Sequence, residues 1–362
     1  MKKNKLFALL TVVFVALLVL VACSDNEPAP TPEPTPTPQP TETVDTNEDE
    51  DEPAEEMPVL EGNLTVYMPA PGPLANELVE AFTALTGVTV DLFQGTTGEI
   101  LARLEAEAAN PIADVVILAS WSDGMILREQ GSLHSFTPPL ASSLHSMFVS
   151  DDNTMFGTSA SAVGIAYNTL LFDSVSGDWA DFSAEQYYGQ LVFPCPERSG
   201  SASDFLAGFM YNNQGDAGWA IWQSLVDNAM IVPGANGPSL EAVVTGERGV
   251  MISAVDWNVF NAKNNGEPLG FFYPASGTVI NPRPAMVLNT SNNITAAEAF
   301  VNFLMSDEAQ AMVVNRFLIP GRADIRSDRR PNVDEIQVLN TNWDWMMSNS
   351  TELSQTFNGL FE

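Results

Sequence analysis

The sequence predicts an α/β fold in which helices cover a parallel sheet, and three observations lead there. Residues 90–120, VDLFQGTTGEILARLEAEAANPIADVVILAS, read strand, tight turn, helix, strand, the pattern of a βαβ crossover between parallel strands. Apolar stretches of period two and of helical period continue to alternate as far as Leu304. About three hundred residues follow a low-complexity N-terminal region, enough for one large or two medium lobes with a sizeable core.

At the N-terminus, Lys2, Lys3 and Lys5 precede an apolar run from Leu6 to Ala22. A charged start, an apolar middle and a small residue before a cleavage point describe a signal peptide over residues 1–22; a retained membrane helix is the other reading. Leu20-Val21-Ala22-Cys23 resembles a bacterial lipobox, which implies that Cys23 carries a lipid anchor. Residues 23–58 are rich in Pro, Thr, Glu and Asp. They cannot bury a core, and the prolines favour an extended, solvated spacer.

The chain carries a formal charge of -32, which becomes -35 without the three leader lysines and leaves Lys263 as the last lysine. Such acidity argues against nucleic acid and against docking on anionic lipid. It still permits an anionic ligand held in a cleft by backbone N–H groups and arginine. Cys195 has no intrachain partner once Cys23 is lipidated, and its setting in Phe193-Pro194-Cys195-Pro196 suits a buried structural thiol. His134 and His145 lie far from any Cys or Glu pattern and read as surface residues, not metal ligands.

Leu64 to Met68 alternate as a strand, and a helix with Leu74, Leu78, Phe82 and Leu85 on one face stops at Gly87. Val88, Val90 and Leu92 form the next strand. Thr96 opens a helix carrying Ile100, Leu101, Leu104 and Ala108, and Asp114 to Leu118 form a buried strand. Thr96 and Glu99 have the spacing of a capping box, which satisfies the helix end without a ligand, so capping and ligand binding both stand here. A helix from about Asp123 to Gln130 precedes irregular chain, and Val163 to Tyr167 form a strand.

Leu191 to Phe193 form another strand, and Ser199 to Ser203 lead into a helix burying Phe205, Leu206, Phe209 and Met210. Pro238 suits the first position of a helix that ends at Gly246. Arg283, between two prolines, is either an oxyanion partner or a surface arginine. Thr295 and Glu298 suggest a second capping box, Ser306-Asp307-Glu308 starts another helix, and Trp343 to Phe361 read as a terminal amphipathic helix.

The segments LTVYMP, TGVTVDLFQGTTGEILARLEAE, ADVVILAS, SAVGIAYN, ERSGSASDFLAGF, ANGPSLEAVVTGE, PRPAMVL and EAFVNFLMSDEAQ together resemble the extracellular solute-binding proteins of ABC importers. Within them they are similar to the ferric-iron-binding branch and its phosphonate-binding and sugar-phosphate-binding relatives. That resemblance implies a two-lobed type II periplasmic-binding fold with a discontinuous first lobe and a two-strand hinge. Lobe 1 would take residues 59–158 and 277–325, lobe 2 residues 159–276, and a helical tail residues 326–362. The strands would cross near Gly157 to Val163 and return near Ser276 to Ile280.

Helix starts at Thr96, Ser120, Ser199 to Ser203 and Asn236 would then face one cleft, where an anion can accept N–H groups from several positive helix ends. The family's iron-binding tyrosine pair falls on Asp256-Trp257, and its His and Glu ligands are likewise absent, whereas ferric iron wants phenolate and carboxylate oxygen. The expected ligand contacts are Thr96, Thr97, Ser120, Trp121, Ser199, Ser201, Asp204, Asn236, Asp256 and Trp257. Asp256 and Asp204 would pair with an ammonium group and Trp257 would wall the pocket.

The resemblance thus implies a lipid-anchored, monomeric, extracytoplasmic binding protein that needs no cofactor. It would capture an oxyanion-bearing solute, such as 2-aminoethylphosphonate or a phosphorylated metabolite, for an ABC permease and its ATPase. Ferric iron on non-tyrosine ligands is the alternative. A secreted hydrolase finds no G-x-S-x-G or H-E-x-x-H motif, and an anchored adhesin would not need the two-lobed pattern.

Overall fold

The alternation of Leu64, Val66 and Met68 becomes β1 (Asn63–Met68), with all three side chains buried. The computed structural model describes Leu60 and residues 62–362; the expected signal peptide, Cys23 and the spacer lie outside the described residues. Helix α1 (Gly72–Thr86) has Pro73 in its first turn, buries Leu74, Leu78 and Phe82, and ends at Gly87 in the left-handed conformation, φ 80°. Leu85, expected on the same face, is exposed.

Strand β2 (Thr89–Gln94), helix α2 (Thr97–Ala106) and strand β3 (Val115–Ile117) complete the expected βαβ unit, with β2 and β3 both parallel to β1. Helix α3 (Trp121–Glu129) begins two residues earlier than its apolar pattern suggests, because the Ser120 hydroxyl accepts the Asp123 N–H and caps it. Next come β4 (Phe156–Asn168), the short β5 (Leu191–Val192), α4 (Gly200–Asn212), α5 (Asp216–Asp227), α6 (Asn236–Val244), β6 (Val250–Val255), α7 (Asp256–Asn264) and β7 (Leu269–Phe272). The chain then runs through β8 (Ile280–Val287), α8 (Ile294–Phe303), α9 (Asp307–Asn315), β9 (Ile319–Pro320) and α10 (Trp343–Gly359). The capping box expected at Thr295 does not form. Helix α8 already starts at Ile294, which leaves Thr295 inside it, and Glu298 bonds His134 instead.

The sheet is mixed, in the order β2-β1-β3-β8-β4-β6-β5 with β7 and β9 also paired to β4. Its flanks are parallel, and antiparallel β4 and β8 run through its middle. Strand β4 changes partners part-way: Phe156 to Ala162 pair with β8, and Val163 to Tyr167 pair with β6 and β7. The buried apolar residues separate accordingly. One core gathers Leu64, Phe82, Val115, Phe300 and Phe303, and another gathers Phe193, Phe205, Trp222, Ile252 and Phe357. Helix α10 touches both halves, since Phe357 packs on Phe193 and Trp222 while Met347 packs with Tyr67 and Met286.

At the point where β4 changes partners sits a fully buried carboxylate. Asp256 accepts hydrogen bonds from the Ala162 N–H (2.9 Å), the Tyr273 hydroxyl (2.9 Å) and the Trp257 N–H (2.7 Å), and it pairs with Arg330. Arg330 also donates to the Phe317 carbonyl (2.7 Å) and the Pro331 carbonyl (3.0 Å). Burial first, and then the neighbouring Asp256 charge, push the Tyr273 phenol pKa well upward, so it stays protonated as a donor. Breaking such a pair from one side leaves an uncompensated buried charge. Arg330→Met is therefore expected to cost about 3–5 kcal/mol in urea denaturation, and a loss below about 1 kcal/mol would show that the carboxylate is not dependent on Arg330.

Candidate functional site

The ends of α2, α4 and α6 open onto one cavity of about 350 Å³, whose remaining walls come from β4, α7 and β8. At α2 the capping box is formed: the Thr96 hydroxyl accepts the Glu99 N–H (3.2 Å), and the Glu99 carboxylate accepts the Thr96 N–H (2.7 Å). Thr97 lines the cavity beside it and accepts the Ala119 N–H at 3.1 Å. Capping thus occupies the Thr96 N–H, while both threonine hydroxyls keep a hydrogen to give.

At α4, the Ser199 hydroxyl caps the Ala202 N–H and lies 3.2 Å from the Ser201 hydroxyl. Ser201 accepts from the Asn236 amide nitrogen at 3.1 Å, which joins the starts of α4 and α6. The Asn236 carbonyl oxygen and the Trp257 indole N–H, both at the cavity wall, have no partner among the described residues. Each helix start adds a partial positive charge, equivalent to roughly half an elementary charge.

Two arginines reinforce that sign. Arg283, on β8, lines the cavity at 4% exposure and donates to the Pro69 carbonyl at 2.6 Å. Burial pulls its pKa down to about 10, against the pull of the Asp256 charge, so it is a cation at neutral pH. Arg198 stands exposed at the rim. Of the carboxylates nearby, Glu99 caps α2 and Asp256 is held by Arg330, so a chain of net charge -32 encloses a positive cavity. The surface reading of Arg283 is corrected: its neighbours Pro282 and Pro284 disguise a buried strand.

Seven of the expected contacts come together around the cavity or its immediate wall: Thr96, Thr97, Ser199, Ser201, Asn236 and Trp257 line it, and Asp256 lies beneath Trp257. Asp256 does not present its carboxylate to a solute, because Arg330, Tyr273 and two N–H groups consume both oxygens. Ser120, Trp121 and Asp204 are also placed elsewhere. They meet one another in a buried seam, where Asp204 accepts the Ser120 hydroxyl and the Trp121 N–H, each at 3.0 Å. Asp204 is therefore corrected from an ammonium partner to a tie between α4 and the start of α3. Cys195 is half-buried, not fully buried as expected. Sequence reasoning missed Ser161, which lines the cavity from β4, and Arg330, whose place beside Asp256 no local pattern announces.

With this geometry established, the family comparison is decisive: the model for bacterial extracellular solute-binding proteins matches residues 77–335. The chain belongs to that family. This solute-binding protein is 26% identical over 283 residues to the putative 2-aminoethylphosphonate-binding periplasmic protein of Salmonella typhimurium, covering 73% of this chain and 81% of that one. It is 25% identical over 265 residues to iron uptake protein A1 of Synechocystis, covering 69% and 73% of the two chains. Among solved structures, the periplasmic binding protein AfuA from Actinobacillus pleuropneumoniae, with fructose-6-phosphate bound, superposes with a TM-score of 0.77 at 19% identity, covering 83% of this chain and 99% of that one. Iron-bound HitA from Pseudomonas aeruginosa superposes with a TM-score of 0.73 at 20% identity, covering 82% and 99%. At those identities the likeness is one of fold, and the fold of these solute-binding proteins is two-lobed α/β as expected.

Helix α2 and the start of α3 meet the chain at the start of α4 along the seam at two glycines. A Cβ on Gly98 would lie 2.5 Å from the Glu197 carbonyl oxygen, and one on Gly200 would lie 2.7 Å from the Ser120 Cβ. Gly98→Ala is expected to wedge the seam, giving a larger radius of gyration by small-angle scattering with an unchanged far-ultraviolet spectrum. An unchanged radius would mean that the approach is not tight in solution.

Burial in the seam, and then the charge of Asp123, push Asp204 up to about 7 from the ordinary carboxylate value near 3.9. Asp123 itself is pushed up to about 6 by burial. A carboxyl with a raised folded-state pKa contributes stability fully below its unfolded pKa and loses it as pH rises through the folded value. The thermal midpoint is thus expected to fall between about pH 4 and pH 7, and Asp204→Asn should flatten that fall; an equally steep fall in the variant would assign it to other groups.

Proposed function

We propose that this chain is the lipid-anchored solute-binding component of an ABC importer, and that it captures a small oxyanion-bearing solute between its lobes. The observation that carries this reading is the convergence of three helix N-termini and Arg283 on one cavity. Helix ends offer unpaired N–H groups and positive potential to an anion, and a buried arginine beside them gains a counter-charge when the anion arrives. The cavity's volume lies near the lower end of the range for small-molecule sites.

The cognate permease and its ATPase are the proposed partners, with the lipid on Cys23 as the proposed tether and the monomer as the working unit. One probable ABC transporter periplasmic-binding protein from Sinorhizobium fredii is 22% identical over 272 residues, which supports the importer assignment. The family supports capture over catalysis, and no catalytic role is assigned to any residue here. In sequence, we place lobe 1 in residues 59–158 and 277–325 and lobe 2 in residues 159–276; the change of partners along β4 and the two separate cores support that division.

The alternative cargo, ferric iron, is less well served by these residues. The cavity presents hydroxyl, amide and guanidinium groups, and among the described residues no group of three His, Cys, Asp or Glu side chains converges as a metal site. Isothermal calorimetry with 2-aminoethylphosphonate, hexose phosphates and ferric citrate tests the assignment. At least one phosphorus compound should bind, and Arg283→Met should weaken it at least about tenfold, as expected for a lost charged hydrogen bond. Heat from ferric citrate alone would replace the oxyanion reading with the iron reading.

A further inference from the structure

With an oxyanion head on the helix ends and Arg283, as proposed above, the rest of the solute meets the strand side of the cavity, where the polar groups beyond Arg283 are neutral and lack partners among the described residues. Ser161 on β4 and Asn281 on β8 stand directly opposite each other in the strand register, both with 0% exposure. The Ser161 hydroxyl and both polar atoms of the Asn281 amide have no partner among the described residues. Ser161 lines the cavity, and Asn281 shares a face of β8 with cavity-lining Arg283, two residues along. The unpaired Trp257 N–H and Asn236 carbonyl oxygen add a donor and an acceptor to the same enclosure. A buried polar group left unpaired costs about 1–3 kcal/mol, and folded proteins keep few. Three such atoms on the cavity wall, with the Asn281 amide on the strand residue facing Ser161, point to a bound molecule that satisfies them.

Their chemistry selects that molecule. The set mixes an obligate donor at Trp257, an obligate acceptor at Asn236, one of each at Asn281 and a hydroxyl at Ser161. Hydroxyl groups donate and accept, and so match every member. An ammonium group only donates, and the carboxylate that lines the cavity, Glu99, stands at the start of α2 on the oxyanion side and already accepts the Thr96 N–H. Asp256 is paired with Arg330, Glu99 caps α2, and Asp204 is tied to Ser120 and Trp121. We infer that the solute carries a neutral, hydroxyl-bearing body on its oxyanion head, as a sugar or polyol phosphate does, and no ammonium tail.

Calorimetry on the purified full chain separates this inference from the reading on which it rests. The probes are glycerol 3-phosphate, glucose 6-phosphate, 2-aminoethylphosphonate, inorganic phosphate, unphosphorylated glucose and ferric citrate. A hydroxylated phosphate ester is expected to bind at least about tenfold tighter than both 2-aminoethylphosphonate and inorganic phosphate. Ser161→Ala, and independently Trp257→Phe, which keeps the ring and removes the N–H, should each weaken the ester about three- to tenfold, and inorganic phosphate less. If 2-aminoethylphosphonate or inorganic phosphate matches the esters, or if both variants weaken all phosphorus probes equally, the hydroxyl-bearing body is wrong and the oxyanion head survives. If no phosphorus compound binds, or only glucose or ferric citrate does, both fall together.

Discussion

The buried carboxylate of Asp256 is the constraint on which the geometry of the cavity depends. Removing a charge from water costs several kcal/mol after relaxation, and only well-placed partners offset it. Here those partners come from four separate stretches: Ala162 on β4, Tyr273 beyond β7, Trp257 on α7 and Arg330 in the tail segment. Each is fixed because the carboxylate cannot be left short of a donor. The fixed parts are those that shape the floor of the cavity. Ala162 precedes the residue at which β4 changes neighbours, Ser161 points from the same strand into the cavity, and Trp257 follows Asp256 directly. A single polar knot thus aligns the crossing strand, one wall of the site and the C-terminal segment.

The same knot bears on the charge of the site. Burial disfavours the protonated form of Arg283 while Asp256 favours it through space, and among the described residues the arginine has only the Pro69 carbonyl as a hydrogen-bond partner. Because Asp256 is already neutralised by Arg330, the cavity keeps a net positive sign. An anion approaching from solution first meets a strongly acidic body, so the long-range field opposes it and only the local field of helix ends and arginines attracts it. Added salt screens the former across distances beyond the Debye length and reaches the enclosed site far less. Selectivity therefore resides in the short-range geometry, which suits a protein that must release its cargo as well as bind it.

Much of this was legible in the sequence. The βαβ opening, the αL glycine after α1 and the capping box at Thr96 follow from local chemistry, and the structure forms all three. Thr96, Thr97, Ser199, Ser201 and Asn236 could be named because helix starts carry a compositional mark, and Trp257 because the family resemblance sets it at the place of a ligand pair. What the local pattern cannot carry is pairing at a distance. Asp256 and Asp204 look like free carboxylates until Arg330, 74 residues away, and Ser120, 84 residues away, are brought against them. Likewise Arg283 reads as a surface arginine beside two prolines, since proline cannot donate to a ladder, yet β8 accommodates both prolines in the middle of a nine-stranded sheet. The expectation of a parallel sheet failed for a related reason: β4 and β8 run antiparallel between the lobes and carry no crossover helix to announce them.

The site and the seam between the lobes are built from the same helix ends, which makes solute capture and lobe contact one event. Thr97 faces the cavity while the next residue, Gly98, packs on the Glu197 carbonyl; Ser199 and Ser201 face the cavity while Gly200, between them, packs on Ser120. No rearrangement that parts Gly98 from Glu197 can leave Thr97 and Arg198 around the same molecule. On the proposed reading, a bound anion would gain N–H groups from both sides only when the seam is shut, and the seam would gain a bridging charge only when the anion is present. Asp204, seated at the start of α3, takes the anion's place there with its own carboxyl group on a helix end. On that reading one physical device serves twice, once with the protein's own side chain across the seam and once with the solute in the cavity.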